Sequence, residues 1–144
     1  MKRFVLLFTV LILTVGLMSC GDLTAYDLED FIPPLMNIET QYPYVEKIII
    51  TKTETGETAE FTEWADHNRI RMLFEEMKCA RREKAPEVAT GFQISFVTVN
   101  ETVDVFVPVE NGAYQANYVY IGEYEFEPLV KGVDIFYFES IFAK

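Results

Sequence analysis

Two side chains beyond Cys20 carry chemistry found nowhere else in that stretch: the single histidine, His67, and the thiol of Cys79. A hydrolytic triad needs a histidine bonded to a nucleophile and oriented by a carboxylate. Asp66 is adjacent in sequence, but residues i and i+1 diverge on a helix, and Asp66 reads better as a helix cap. His67 is therefore expected as an exposed residue at a helix start. A single histidine also excludes a histidine-rich metal centre. Cys79 has the basic neighbours Lys78, Arg81 and Arg82, which would lower a thiol pKa. It also falls near the end of an expected helix, where the dipole disfavours a thiolate. It is expected as a small, semi-buried apolar residue. Neither residue is expected to be catalytic, and the chain is read as a non-enzyme with no cofactor and no metal.

The carboxylates and aromatics are more informative. Glu123, Glu125 and Glu127 alternate along an expected strand, about 7 Å apart. Calcium wants about six to eight oxygens converging on one point, which a straight strand does not supply, so the row reads as a solvated face. The basic residues Arg69, Arg71, Lys78, Arg81, Arg82 and Lys84 lie beside Glu75, Glu76 and Glu83 and read as a charged helix surface. There is no Gly-rich phosphate loop and no nucleophile elbow. Tyr114, Tyr118 and Tyr120 share one strand parity, opposite Val119 and Ile121, and Phe106 opposes the valine face of its own strand. The candidate binding face is therefore Phe106, Tyr114, Tyr118, Tyr120, Glu123 and Glu125, on the sheet face away from the helix. An acidic, tyrosine-bearing face suits a basic protein segment or a glycan.

The elements that must position these residues follow from periodicity. Val45 to Thr53 is rich in β-branched residues and reads as a strand; Thr55-Gly56 turns it into a return strand, Thr58 to Thr62. Asp66 to about Arg82 reads as one long helix, with the apolar stripe Ile70, Leu73, Phe74, Met77 and Ala80. Phe92 to Val99 and Val103 to Val109 then alternate with period two about a turn at Asn100-Glu101. Asn111-Gly112 signals a hairpin leading into a strand from Tyr114 to Ile121. Glu123 to Phe126 alternates again, with a bulge or bend at Gly122. Val133 to Phe142 fits a helix capped by Asp134, although Ile135 to Phe138 would also serve as a strand. The expected class is α+β: an antiparallel sheet of about five strands, a hairpin followed by a meander, with one long amphipathic helix on one face and a short terminal element.

The 144 residues hold 50% apolar types and carry 23 acids against 12 bases, a net charge of −11. That is enough for one core, and such a charge argues against nucleic acid as a partner. Lys2 and Arg3 precede an apolar run, Phe4 to Met18, which is about five residues short of the ~20 that a membrane span needs. It reads as an export signal. Leu17-Met18-Ser19-Cys20 resembles the lipobox of bacterial lipoproteins, which implies a diacylglycerol thioether on Cys20 and cleavage before it. Two acyl chains give stable anchoring, at about 0.8 kcal/mol per buried CH₂. The expected organisation is a signal peptide over 1–19, a lipidated, acidic, Pro-containing tether over 20–43 and a single domain over 44–144. Leu28, Phe31, Ile32 and Leu35 recur at helical spacing in that tether, so it is read as a strap on the domain.

Over about residues 44–142 the layout resembles the small uncharacterised lipoproteins of Gram-positive bacteria of the YhfM-like sort. The resemblance rests on the strand Val45 to Thr53, the helix Ile70 to Arg82 and the hydrophobic strands after it. It implies a cell-surface lipoprotein and carries over no functional residues. The expected function is a lipid-anchored, extracytoplasmic binding module on the outer face of a bacterial membrane, with a protein or glycan partner. The alternatives are an inhibitor or accessory subunit of an envelope complex, and a small enzyme built on Cys79 or His67. Cys20→Ala is expected to move the protein from the membrane fraction to the soluble fraction; a mutant that stays membrane-bound would show that another anchor exists.

Overall fold

The computed structural model describes residues 24–36, 44–84, 90–110, 113 and 115–143. The signal peptide, Cys20, the Asn111-Gly112 turn and Tyr114 lie outside the described residues. In chain order the elements are β1 (Tyr26–Asp27), a 3₁₀ turn (Leu28–Phe31), β2 (Val45–Lys52), β3 (Glu57–Phe61), α1 (Trp64–Arg71) and β4 (Lys78–Glu83). They continue with β5 (Gly91–Thr98), β6 (Thr102–Pro108), β7 (Gln115–Ala116), β8 (Val119–Ile121), β9 (Tyr124–Pro128), β10 (Val133–Asp134) and α2 (Ile135–Phe142). Eight strands form one sheet in the order β1-β4-β9-β8-β6-β5-β2-β3, and β7 pairs with β10 in a separate two-stranded sheet. Every neighbouring pair is antiparallel.

This corrects the expected fold class: the described residues are mostly antiparallel sheet, with two short helices rather than one long helix on about five strands. The long helix fails at its C-terminal half. Helix α1 begins at Trp64, with Glu63 rather than Asp66 at the cap position, and ends at Arg71. The backbone then tightens, Leu73 bonding Ile70 and Phe74 bonding Arg71. Glu76 adopts φ 57°, a left-handed conformation that closes a helical path. Lys78 to Glu83 instead becomes β4, inserted between β1 and β9. Two of the basic residues read above as a charged helix surface find strand partners there. Arg82 donates to Glu127 at 2.8 Å, and Lys84 lies 3.5 Å from Glu125.

The period-two segments place one apolar face in register. Ile48 faces Phe96, Ile50 faces Ile94, Ile94 faces Val105, Val105 faces Ile121, and Val119 faces Phe126. All eight of these side chains are buried. Three short segments cover the face, each with a phenylalanine against a sheet phenylalanine. Phe31 of the 3₁₀ turn lies 4.7 Å from Phe126 between ring centroids; Phe74, just after α1, lies 6.4 Å from Phe96. Phe138 of α2 stacks on Phe92 at 5.4 Å. Asp134 accepts from the Phe136 amide and so caps α2.

The segment Tyr26 to Ile32, read above as part of a tether, packs into this core. Leu28 and Ile32 are buried, and the Leu28 amide donates to the Met77 carbonyl. Lys78 pairs with Asp27. Gly122 takes a positive φ of 58° in the two-residue turn between β8 and β9, so it is a hairpin turn and not a bulge.

Phe74 has no exposed surface and joins β5 to the chain that leaves α1. Phe74→Ala is expected to cost about 3–5 kcal/mol by denaturant unfolding; an unchanged midpoint would overturn this packing.

Candidate functional site

The sheet face away from the helices carries one continuous register row. Thr51 faces Gln93, Gln93 faces Phe106, Phe106 faces Tyr120, and Tyr120 faces Glu125, which in turn faces Arg82. Phe106 and Tyr120 lie 6.2 Å apart between ring centroids. The row does not form an open binding surface. Tyr120 is 6% exposed and Glu125 only 2%. The Tyr120 hydroxyl donates to Glu125 Oε2 at 2.8 Å, and the same oxygen faces the Lys84 ammonium. A carboxylate is stable in such burial only when bonded and countered by charge, so this cluster holds β4, β8 and β9 together. Tyr118 is half-buried and lies outside the strands; Glu123 is exposed in the β8–β9 turn. Tyr120 and Glu125 therefore come together in a buried pair, which neither Tyr118 nor Glu123 joins.

The two residues with distinctive chemistry are both buried. His67 is 3% exposed rather than an exposed helix-start residue, because its Nε2–H donates to the Phe61 carbonyl at 2.8 Å, tying α1 to the end of β3. Cys79 is fully buried in the sheet, beside β1, with its thiol directed at the Met77 carbonyl. Burial pushes its pKa up to about 11, and the negative charge of Asp27 adds to the effect. A thiol so protonated is a poor nucleophile at neutral pH. His67 bonds a backbone carbonyl, and neither residue bonds the other. Among the described residues there is no group of three or more His, Cys, Asp or Glu that could hold a metal ion.

A groove of about 430 Å³ opens between the segment 72–78 and the segment 130–134. Leu73 and Met77 contribute apolar lining; Met72 and Val130 project into solvent at 60% and 95% exposure. Two rim charges, Glu76 and Lys131, have no ion-pair partner among the described residues, whereas Glu75 is held by Arg71 at 2.6 Å. Gly132 is at the rim because its backbone lies against the Ala116 carbonyl, leaving no room for a side chain. Sequence reasoning missed this groove: its one signal was the apolar pair Leu129-Val130 inside a loop.

No protein family, curated protein or solved structure matches this chain. Among the described residues no helix is long and apolar enough to cross a membrane.

The buried thiol and the Lys78–Asp27 pair give the fold an alkaline limit. The folded Cys79 holds its proton to about pH 11, while an unfolded thiol ionises near 9.0. The bond to Asp27 also raises the Lys78 pKa above 10.5, a stabilising contribution present below that value and lost as pH rises through the raised one. Stability is thus expected to hold up to about pH 9 and to fall between there and about pH 11, Cys79 accounting for about 2–3 kcal/mol. Melting curves across this range check it: Cys79→Ala should flatten the decline, and a parent curve level to pH 11 would refute it.

Proposed function

We propose that this chain is an exported, lipid-anchored protein of a bacterial envelope that acts by binding a partner protein rather than by catalysis. The anchoring half of this reading rests on the lipobox-like Leu17-Met18-Ser19-Cys20 behind a basic, apolar leader. The binding half rests on one observation: the exposed apolar pair Met72 and Val130 at the mouth of the groove. Apolar side chains grouped around a concavity are characteristic of contact surfaces, and methionine adapts its shape to what it meets. The occupant that fits is an extended peptide segment of a partner protein. Its apolar side chain would fill the space above Leu73 and Met77, and its flanking polar groups would meet Glu76 and Lys131. The aromatic row through Phe106 and Tyr120 supports the frame of the molecule, and the groove replaces it as the contact site.

Both Met72 and Val130 are exposed, so their replacement leaves the core intact. A photocrosslinker at Lys131, in membranes of the expressing bacterium, should give a discrete protein adduct. Met72→Asp combined with Val130→Asp should abolish that adduct and shift the melting midpoint little. An adduct unaffected by the double substitution would place the contact elsewhere. A chemical activity of the purified chain lost in His67→Ala or Cys79→Ala would replace the binding reading with a catalytic one.

A further inference from the structure

The guanidinium of Arg81 is held in an aromatic clamp at the edge of the sheet. It lies 4.4 Å from the ring centre of Tyr26 on β1 and 4.6 Å from that of Tyr124 on β9, with Phe31 at 5.8 Å. The register explains the clamp. Arg81 pairs with Phe126, so Tyr124 is its diagonal neighbour on one side; Tyr26 pairs with Cys79 and is its diagonal neighbour on the other. Arg81 is nevertheless exposed. The other bases of this strand have carboxylate partners: Lys78 pairs with Asp27, and Arg82 with Glu127. Lys84, just beyond the strand, faces Glu125. No carboxylate of the described residues lies within ion-pair distance of Arg81. Its guanidinium is thus held among the rings without an anion among the described residues.

The chain's own length says what is near them. Tyr26 is fixed in the sheet, and only residues 21–25 separate it from Cys20, about 20 Å even when fully extended. A lipid on Cys20 therefore holds the β1–β4 edge close to the bilayer surface, far nearer than a tether running to Tyr44 would. We propose that Arg81, clamped between Tyr26 and Tyr124, docks this edge on the phosphates of phospholipid headgroups in the membrane that carries the anchor. The proposal rests on the lipid-anchor reading above. A planar guanidinium bonds a phosphate through two parallel N–H groups, and here the rings already hold it. Tyrosines favour the same interfacial depth, ring toward the acyl boundary and hydroxyl toward water. The net charge of −11 opposes capture from solution, so docking depends on the anchor to hold Arg81 at high local concentration. The domain is thereby oriented on its membrane rather than swinging free.

The test uses the full, lipidated chain in vesicles of phosphatidylethanolamine and phosphatidylglycerol bearing a headgroup-attached quencher. A fluorophore is placed at Glu83→Cys, beside Arg81, or at Val99→Cys, four strands away on the β5–β6 turn, about 19 Å across the sheet. At low salt the probe at 83 should be quenched several-fold more than the probe at 99. Raising ionic strength from about 0.01 to about 1 M shortens the Debye length from about 30 to about 3 Å and should remove the difference. Arg81→Gln, which keeps a planar group between the rings, should remove it too while the lipid stays attached. Equal quenching at both positions, or a difference indifferent to both salt and Arg81→Gln, would overturn the docking. If Arg81→Gln fails to fold, the salt titration of the parent decides. A Cys20 that mass measurement shows to carry no lipid would remove the anchor reading, and this proposal with it.

Discussion

The apolar face of the eight-stranded sheet has to be kept from water, and the way the chain covers it dictates most of what else is seen. No single element is long enough to do so. The cover is assembled from the 3₁₀ turn after β1, the chain leaving α1 and the terminal helix α2, each meeting the sheet through a phenylalanine pair. These segments come from the beginning, middle and end of the described chain. The core is therefore closed by long-range contacts, and Leu28 near one end is as buried as Phe138 near the other. Aromatic pairs of this kind contribute about 0.5–1.5 kcal/mol beyond the area they bury.

The cost of drawing the early segment into the core is that a strand must be found for it to pair with, and β4 is that strand. With β1 on one side and β9 on the other, β4 brings two sets of charges together that are far apart in sequence. Glu125 and Glu127 meet Lys84 and Arg82 across the β4–β9 boundary. A carboxylate as buried as Glu125 is tolerated because the Tyr120 hydroxyl and the Lys84 ammonium both face it. The same arrangement encloses Cys79, leaves its thiol protonated and removes it from chemistry. Reactive side chains have thus been consumed by the frame: His67 ties α1 to β3, Cys79 fills the sheet beside β1, and Glu125 and Tyr120 satisfy each other.

Two outward features among the described residues are of different kinds. One is the groove with its exposed methionine and valine; the other is the Arg81 clamp at the β1–β4 edge. They differ in the type of contact they suit, an apolar peptide in the first case and a phosphate in the second. Under the proposed lipid anchoring, one contact would set the orientation of the domain and the other would be left to face a partner.

The strands β2, β3, β5 and β6 were legible in the amino-acid sequence, because alternation with period two is a local property of an extended chain with one buried face. The parity that sets Tyr120 against Val119 and Ile121 was legible for the same reason. The leader and the lipobox-like residues around Cys20 are linear signals that lie outside the described residues, and they stand as an expectation from the sequence. Only the tertiary structure decided the rest. Lys78 to Glu83 satisfies a helix and a strand equally well by itself, and it becomes a strand because β1 and β9, about 50 residues away on either side, offer it backbone and charge partners. Parity names the face on which Tyr120 and Glu125 lie but not whether that face is open, and a hydroxyl-to-carboxylate bond between them closes it. The groove at Met72 and Val130, and the clamp that joins Tyr26, Arg81 and Tyr124, join residues distant in the chain, so no local pattern could reveal either.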